Sequence, residues 1–374
     1  MKKLGFGLMR LPQLDPTDAA NVDIEQLKKM VDIFMERGFT YFDTAIMYNG
    51  FASQRSAKAA LVDRYPRDSF TLATKLHCGF FDSFEGRDKI FSEQLEQTGA
   101  GYFDYYLLHG VDGGSIGKYE KYDCFEWLKQ KKEQGLVKHI GFSYHDNAAL
   151  LDEILTKHPE AEFVQLQINY LDWESEWVHS REVYETAVKH GKKVIVMEPV
   201  KGGTLAKVPQ QAEEMFKAAD PKMSVPSWAI RFAASLPGVM VVLSGMSTIS
   251  QVEDNTGYMA DFKPLTEEET AMTRKAAEII NGQIAVPCTG CSYCTEGCPM
   301  HIAIPRYFSL YNDIKREDMA QKGWTVTYSY YDWLTEKFGR ARDCVQCGQC
   351  EGVCPQHLPI IENLKKVSEV FDHN

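Results

Sequence analysis

Eight of the ten cysteines stand in two copies of one spacing, Cys288-x2-Cys291-x2-Cys294-x3-Cys298-Pro299 and Cys344-x2-Cys347-x2-Cys350-x3-Cys354-Pro355. Thiolates held two residues apart on a tight loop can converge on one face of a 4Fe-4S cubane, while a fourth cysteine followed by proline points away and serves the other cluster. The spacing therefore assigns Cys288, Cys291, Cys294 and Cys354 to one cluster, and Cys344, Cys347, Cys350 and Cys298 to a second. Zinc is the competing reading, but a tetrahedral site has no use for a third C-x2-C step followed by C-x3-C-P. A disulfide framework fits less well, because the chain ahead of Cys288 holds only Cys78 and Cys124 and nothing suggests export.

A second constellation lies early in the chain: Asp43, Tyr48, Lys75 and His109. Their types suit carbonyl reduction, in which a hydride reaches carbon and a proton must reach oxygen. Tyr48 can give that proton, and an ammonium such as Lys75 makes a nearby phenol easier to ionise. Asp43 would anchor Lys75 through a charge-assisted pair, and His109 would orient the carbonyl oxygen by hydrogen bonding. Each residue alone has a plainer use: Asp43 in a turn, Tyr48 in loop packing, Lys75 at a surface strand end, His109 as a satisfied rim residue. The four carry weight only if the fold gathers them.

Short β-branched or aromatic runs at residues 3–7, 40–44, 69–75, 103–108, 137–143, 163–167, 193–197 and 239–244 alternate with stretches of helical period at 24–37, 53–63, 88–97, 121–134, 147–157, 180–190, 226–234 and 250–258. That alternation predicts a parallel sheet with crossover helices. Eight units in about 250 residues predict an α/β fold of the (β/α)8 TIM barrel type, since a doubly wound sheet usually stops at five or six strands. Successive strand ends of a barrel face one mouth. Asp43, Lys75 and His109 fall at the ends of the second, third and fourth strands, with Tyr48 in the loop after the second. Gly5-x-Gly7 lacks the third glycine of a dinucleotide fingerprint and reads as close strand packing.

Thr266 and Glu269 form a capping box ahead of a helix that ends near Gly282, the natural bridge to the cysteine runs. The expected organisation is a barrel over residues 1–262, a linking helix over 263–284 and a ferredoxin-type domain over 285–374. Helical and aromatic patches at 306–314 and 328–338 separate the two cysteine runs. A compact two-cluster ferredoxin leaves less room there, so a small, mainly helical two-cluster domain is expected.

With 374 residues, 44% of them apolar, the chain can fill a large core beside a small domain. The apolar stretch at residues 4–9 is cut by Arg10, too short for a signal peptide or a membrane span. A soluble, cytoplasmic protein is expected, where reducing conditions keep thiolates available. The formal net charge is −11 and no basic cluster is long enough to follow a phosphate backbone, so neither nucleic acid nor membrane is an expected partner.

The runs Gly38-Phe39-Thr40-Tyr41-Phe42-Asp43-Thr44-Ala45, Tyr48-Asn49-Gly50, Ala73-Thr74-Lys75, Leu107-Leu108-His109 and Gly141-Phe142-Ser143 resemble the aldo-keto reductase family in order and spacing. The whole chain looks like its bacterial branch with a C-terminal ferredoxin-type 4Fe-4S domain. The resemblance implies NADPH or NADH across the barrel mouth. By position it implies that Ser143 and Gln165 hold the carboxamide. Met197 and the segment Glu198, Pro199, Val200, Lys201, Gly202, Gly203 would flank the ring and pyrophosphate. Ser244, Gly245, Met246 and Ser247, with Gln251, Asp254 and Asn255, would meet the adenosine end, where the start of a helix offers free N–H groups to phosphate. Two departures matter. Met197 stands where many relatives stack an aromatic ring, and Gln251 where an arginine commonly grips the 2′-phosphate.

The leading expectation is an NAD(P)H-dependent oxidoreductase acting on a small-molecule carbonyl or alcohol. A second is an electron-transfer oxidoreductase whose clusters link an external carrier such as ferredoxin to the barrel site. It lacks a visible flavin motif to convert single electrons into hydride. The clusters could equally brace a module too small to stand on its own core. A third is a non-catalytic cofactor-sensing subunit, against which the retained Tyr48 and Lys75 speak. Elsewhere, His77, His145 and Trp173 are candidate rim contacts or caps. Cys78 and Cys124 read as small apolar packing residues.

Overall fold

Eight parallel strands close into a barrel in chain order: β1 (Leu4–Gly7), β2 (Tyr41–Asp43), β3 (Thr71–His77), β4 (Phe103–Val111), β5 (Val137–Tyr144), β6 (Phe163–Gln167), β7 (Lys193–Met197) and β8 (Val239–Gly245). The computed structural model describes residues 2–15, 17–175, 178–282, 284–316 and 326–372. Side chains alternate across each strand. Tyr41, Ala73, Leu107, Phe163, Ile195 and Val241 fill the barrel interior, while Phe42, Leu72, Leu108, Phe142, Val164 and Val196 join the outer core beneath the helices. Two residues further along the inward face of β2, β3, β4, β6 and β7 come Asp43, Lys75, His109, Gln165 and Met197. The alternation that builds the core thus also delivers a layer of functional groups to the mouth.

A Cβ at Gly5 would lie 2.7 Å from Val241 and 2.8 Å from Leu243 side-chain atoms. The glycine on β1 therefore serves interior packing, as its incomplete motif implied.

The crossover helices are α1 (Ile24–Glu36), α2 (Ser53–Ala57), α3 (Phe84–Thr98), α4 (Cys124–Glu133), α5 (Ala148–Lys157), α6 (Ser180–Lys189), α7 (Val225–Ser235) and α8 (Ile249–Met259). Side chains cap several of them: Asp23 accepts from Gln26 N, Ser83 from Gly86 N and Asn147 from Leu150 N, satisfying N–H groups that a helix start leaves free. The periodicity differs from the structure in places. The helix expected over 121–134 is divided, because Asp123 takes a left-handed conformation (φ 48) between Ile116–Lys121 and α4. The strand expected from residue 69 begins at Thr71, since Arg67–Ser69 coil into a tight turn after Pro66. Residues 58–62 continue α2 as a wider π turn, and a helix at Gln210–Ala219 was not anticipated.

The Thr266–Glu269 capping box forms at the start of α9 (Glu267–Asn281), and Ala276, Ala277 and Ile280 bury this helix against the barrel core. Beyond it lies a separate core of Tyr307, Phe308, Tyr331, Ile360, Leu364 and Val367, built on α10 (Ile304–Arg316), α11 (Val326–Thr335) and α12 (Ile360–Phe371). The two cysteine runs share one backbone path. Positive φ at Gly290, Ser292 and His301 recurs at Gln346, Gly348 and His357. Among the described residues no helix is long and apolar enough to cross a membrane.

Candidate functional site

At the C-terminal end of the barrel a cavity of about 300 Å³ is lined by Asp43, Tyr48, Lys75 and His109. Lys75 Nζ donates to Asp43 Oδ1 at 2.5 Å and to Thr44 O at 2.8 Å, and the pair is buried. The same Nζ lies 4.9 Å from the centroid of the Tyr48 ring, and His109 meets that ring edge-on at 5.9 Å. Tyr48 is placed by a sharp turn through Asn49 (φ 50) and Gly50 (φ 55). Asn49 Nδ2 and Ser53 Oγ pin that turn to Leu8 O at 2.7 and 2.9 Å.

Burial holds the Tyr48 phenol well above its usual range, and the Asp43 and Glu198 carboxylates push the same way. The expected acidifying effect of Lys75 does not prevail, because its ammonium is turned to Asp43 and Thr44 and faces the ring. Burial drives His109 well below the ordinary histidine value, with Lys75, His77 and His145 adding to it, so its imidazole is neutral. Burial also raises Asp43 and lowers Lys75, each opposed by the short contact with the other.

Every cofactor contact expected from the resemblance lines this cavity except Met246, whose apolar side chain is buried in the core, and Lys201, whose Nζ is turned to Asp172 and Gln356. Ser143 Oγ accepts from Gly110 N at 2.7 Å, which leaves its hydroxyl hydrogen for the cavity. Gln165 Oε1 and Glu198 Oε2 are buried without a hydrogen-bond partner among the described residues. Gln251 Oε1 accepts from Ser247 N at 2.7 Å and Thr248 N at 3.2 Å, so this side chain caps α8. Asn255 Nδ2 donates to Ser244 Oγ at 2.9 Å, and Asp254 accepts from Ser224 Oγ at 2.6 Å.

The C-terminal module forms part of the same wall. Thr289, Cys291, Tyr293, Pro355 and Gln356 line the barrel cavity. A wider chamber of about 670 Å³ extends between rim and module, lined by His77, His145, His357, Asp112 and Tyr293. Burial lowers His77, and lowers His145 to about 4. A Cβ at Gly202, itself at φ 62, would fall 1.6 Å from Thr289 O. That glycine admits the module's backbone.

Sequence reasoning passed over Arg10, Tyr293 and Gln356. Arg10 lines both spaces and its Nη2 donates to Thr289 O at 3.3 Å. Its position directly past a barrel strand was a usable signal; the others depend on contacts across the whole chain.

None of the ten cysteines is paired in a disulfide. Cys288, Cys291, Cys294 and Cys354 line one small cavity with Phe308, Leu358 and Ile360. Cys298, Cys344, Cys347 and Cys350 line another with Ile302 and Leu364. Ile304 borders both. Burial pushes the Cys288 thiol up to about 12 and Cys350 up to about 11. Among the described residues no three histidine, cysteine or carboxylate groups gather as a single-ion site, so the thiols are arranged around cavities.

Residues 3–278 match the model of the aldo/keto reductase family, and residues 287–358 match that of a 4Fe-4S dicluster domain. The chain is 25% identical over 273 residues to the uncharacterized oxidoreductase YqkF of Bacillus subtilis, covering 64% of this chain and 84% of that protein. It is 22% identical over 262 residues to L-galactose dehydrogenase of Arabidopsis thaliana, covering 64% and 80%. Among solved structures, the holo form of aldo-keto reductase AKR11C1 from Bacillus halodurans superposes with a TM-score of 0.58 at 24% identity, covering 73% of this chain and 91% of that one. An aldo/keto reductase from Klebsiella pneumoniae in complex with NADP and acetate gives 0.59 at 17% identity, covering 73% and 90%.

Proposed function

The chain belongs to the aldo/keto reductase family, an oxidoreductase with a C-terminal 4Fe-4S domain, and on that premise we propose that it interconverts a small-molecule carbonyl and its alcohol at the barrel mouth, using a nicotinamide dinucleotide. The observation that carries this reading is one cavity holding Asp43, Tyr48, Lys75 and His109 beside Ser143 and Gln165.

A bound nicotinamide supplies or accepts the hydride. Tyr48, kept protonated by burial, gives its proton to the carbonyl oxygen. Lys75, facing the ring, stabilises the negative charge that the phenol then acquires, and Asp43 holds Lys75 in place. Neutral His109 donates an N–H to the carbonyl oxygen without competing as the acid. Ser143 offers a hydrogen to a carboxamide oxygen and Gln165 Oε1 an acceptor to its NH2, which fits the two unspent groups at this end of the cavity.

The adenosine end favours NADH. Gln251 already spends its oxygen on the helix start, and Asp254 presents a carboxylate suited to a ribose hydroxyl and repelling a 2′-phosphate. Among the described residues lining the cavity, the cations are Arg10 and Lys75, and Lys75 is taken by Asp43.

Each four-thiol cavity suits one 4Fe-4S cluster, with Cys288, Cys291, Cys294 and Cys354 holding the first and Cys298, Cys344, Cys347 and Cys350 the second. Such clusters supply one-electron chemistry. Cys291 borders both the first thiol cavity and the barrel cavity, which favours a redox role, with an external carrier of the ferredoxin type, over a brace alone.

Anaerobically purified protein should contain about eight iron and eight sulfide per chain and should oxidise NADH with some member of a panel of aldehydes and ketones. Failure with every carbonyl, together with no NAD+ reduction by the matching alcohols, would remove the proposed activity. Failure of the active carbonyl to reoxidise reduced ferredoxin would remove the carrier.

A further inference from the structure

Lys201, within the turn that follows β7, reaches away from the cavity into the seam with the module. Its Nζ contacts Asp172 Oδ1 at 2.5 Å and Gln356 Oε1 at 3.3 Å. Gln356 Nε2 in turn donates to Gln167 Oε1 at 2.8 Å. All four residues are buried, none more than 5% exposed. Two charges and two amides taken from water are tolerated only when bonded to one another, so this seam holds a single arrangement.

One end of the network is a cluster loop. Gln356 directly follows Cys354 and Pro355 and lines the first thiol cavity beside Cys288, Cys291 and Cys354. The other end is the nicotinamide wall. Gln167 stands opposite Met197 in the β6–β7 register. Asn169 Nδ2 donates to Asp172 Oδ2 at 2.9 Å and to Glu198 O at 3.1 Å, holding Glu198 at its left-handed φ of 54.

We propose that Gln356 and Lys201 are positioning residues that couple the two sites, fastening the loop of the first cluster to the wall that meets nicotinamide, so that occupancy of the mouth and oxidation state of that cluster change each other. This rests on the readings of the mouth as a nicotinamide site and of the first thiol cavity as a cluster site. Coupling is reciprocal, so one factor must appear in both directions.

The test is an anaerobic potentiometric titration of the holoprotein followed by electron paramagnetic resonance, with and without saturating tetrahydro-NAD, a redox-inert analogue. Calorimetry measures affinity for the analogue with the clusters oxidised and reduced. In the native protein the analogue should change the reduced-to-oxidised ratio of one cluster at fixed potential by about fivefold or more, equivalent to about 41 mV at 59 mV per tenfold for one electron. Its affinity should change by the same factor on reduction. In Gln356→Leu, with iron content retained, the factor should fall below about twofold. In Lys201→Met, with iron content retained, the factor should likewise fall below about twofold.

Equal potentials with and without analogue in the native protein would overturn the proposal whether or not the variants fold. So would full coupling retained in Gln356→Leu. Protein lacking iron, or failing to bind the analogue, would overturn the proposal together with its premise, and iron content and calorimetry identify which premise failed.

Discussion

Gln251→Arg should move coenzyme preference toward NADPH. Gln251 is exposed at the start of α8 and its oxygen accepts from Ser247 N and Thr248 N. An arginine there would present a planar fork that matches phosphate. A hydrogen bond to a charged partner is worth about 1.5–3 kcal/mol, and solvent exposure reduces this to at most about 1 kcal/mol. At about 1.4 kcal/mol per tenfold, NADPH should bind up to about fivefold tighter. NADH, without the 2′-phosphate, should change by less than about twofold. Removing the Gln251 cap costs helix stability of about 1 kcal/mol, which bears on both coenzymes alike. Fluorescence titration of NADH and NADPH against native protein and Gln251→Arg, at fixed ionic strength because an exposed charge contact is screened, measures all four affinities. Native protein that binds NADPH ten times tighter than NADH, or a variant with an unchanged ratio, would refute the reasoning.

Lys75→Met leaves the buried Asp43 carboxylate without its ammonium and should lower the unfolding free energy of the barrel by about 3–5 kcal/mol. Adding Asp43→Asn should restore part of that stability in urea unfolding but none of the turnover. Cys347→Ser should halve the iron content while NADH-linked carbonyl reduction persists within about twofold, because barrel and module have separate cores; a barrel that unfolds with the lost iron would show that the cores are not independent. Acid should also weaken the fold. Burial holds His145 at about 4 and His109 well below its ordinary value, whereas in the unfolded chain both titrate near 6.5. Between about 4 and 6.5 the unfolded state binds more protons, so stability is full above that window and falls as pH drops through it. Denaturation midpoints that stay level from pH 7 to 4.5, or a His145→Phe variant with as steep a fall, would contradict this.

The barrel was legible because each strand and its crossover helix carry their own periodicity, and all eight strands were located from it. The tetrad was legible because Asp43, Lys75 and His109 sit two residues past interior apolar positions on a common face. The thiol sets were legible from spacing alone: the exchange of Cys298 and Cys354 between the two cavities is what the trailing proline positions imply. Element ends were less so, since Asp123 breaks a helix through one left-handed residue that periodicity does not register. The upward shift of Tyr48 was not legible because its largest cause is burial, with Asp43 and then Glu198 adding to it, and that burial is built by segments far apart in the chain. The pairing of Lys201 with Gln356, and of Gln356 with Gln167, was hidden because it joins segments far apart in the chain. Their partnership exists only where the module docks on the barrel, and nothing in local sequence points from one to another.

The claim on which the account turns is that the Tyr48 phenol is the acid at the barrel mouth. Single-turnover reduction of the active carbonyl by Tyr48→Phe, with NADH affinity measured on the same sample, tests it. The account predicts a rate lower by about 10²- to 10⁴-fold with NADH affinity close to native. A native rate in the variant would contradict it.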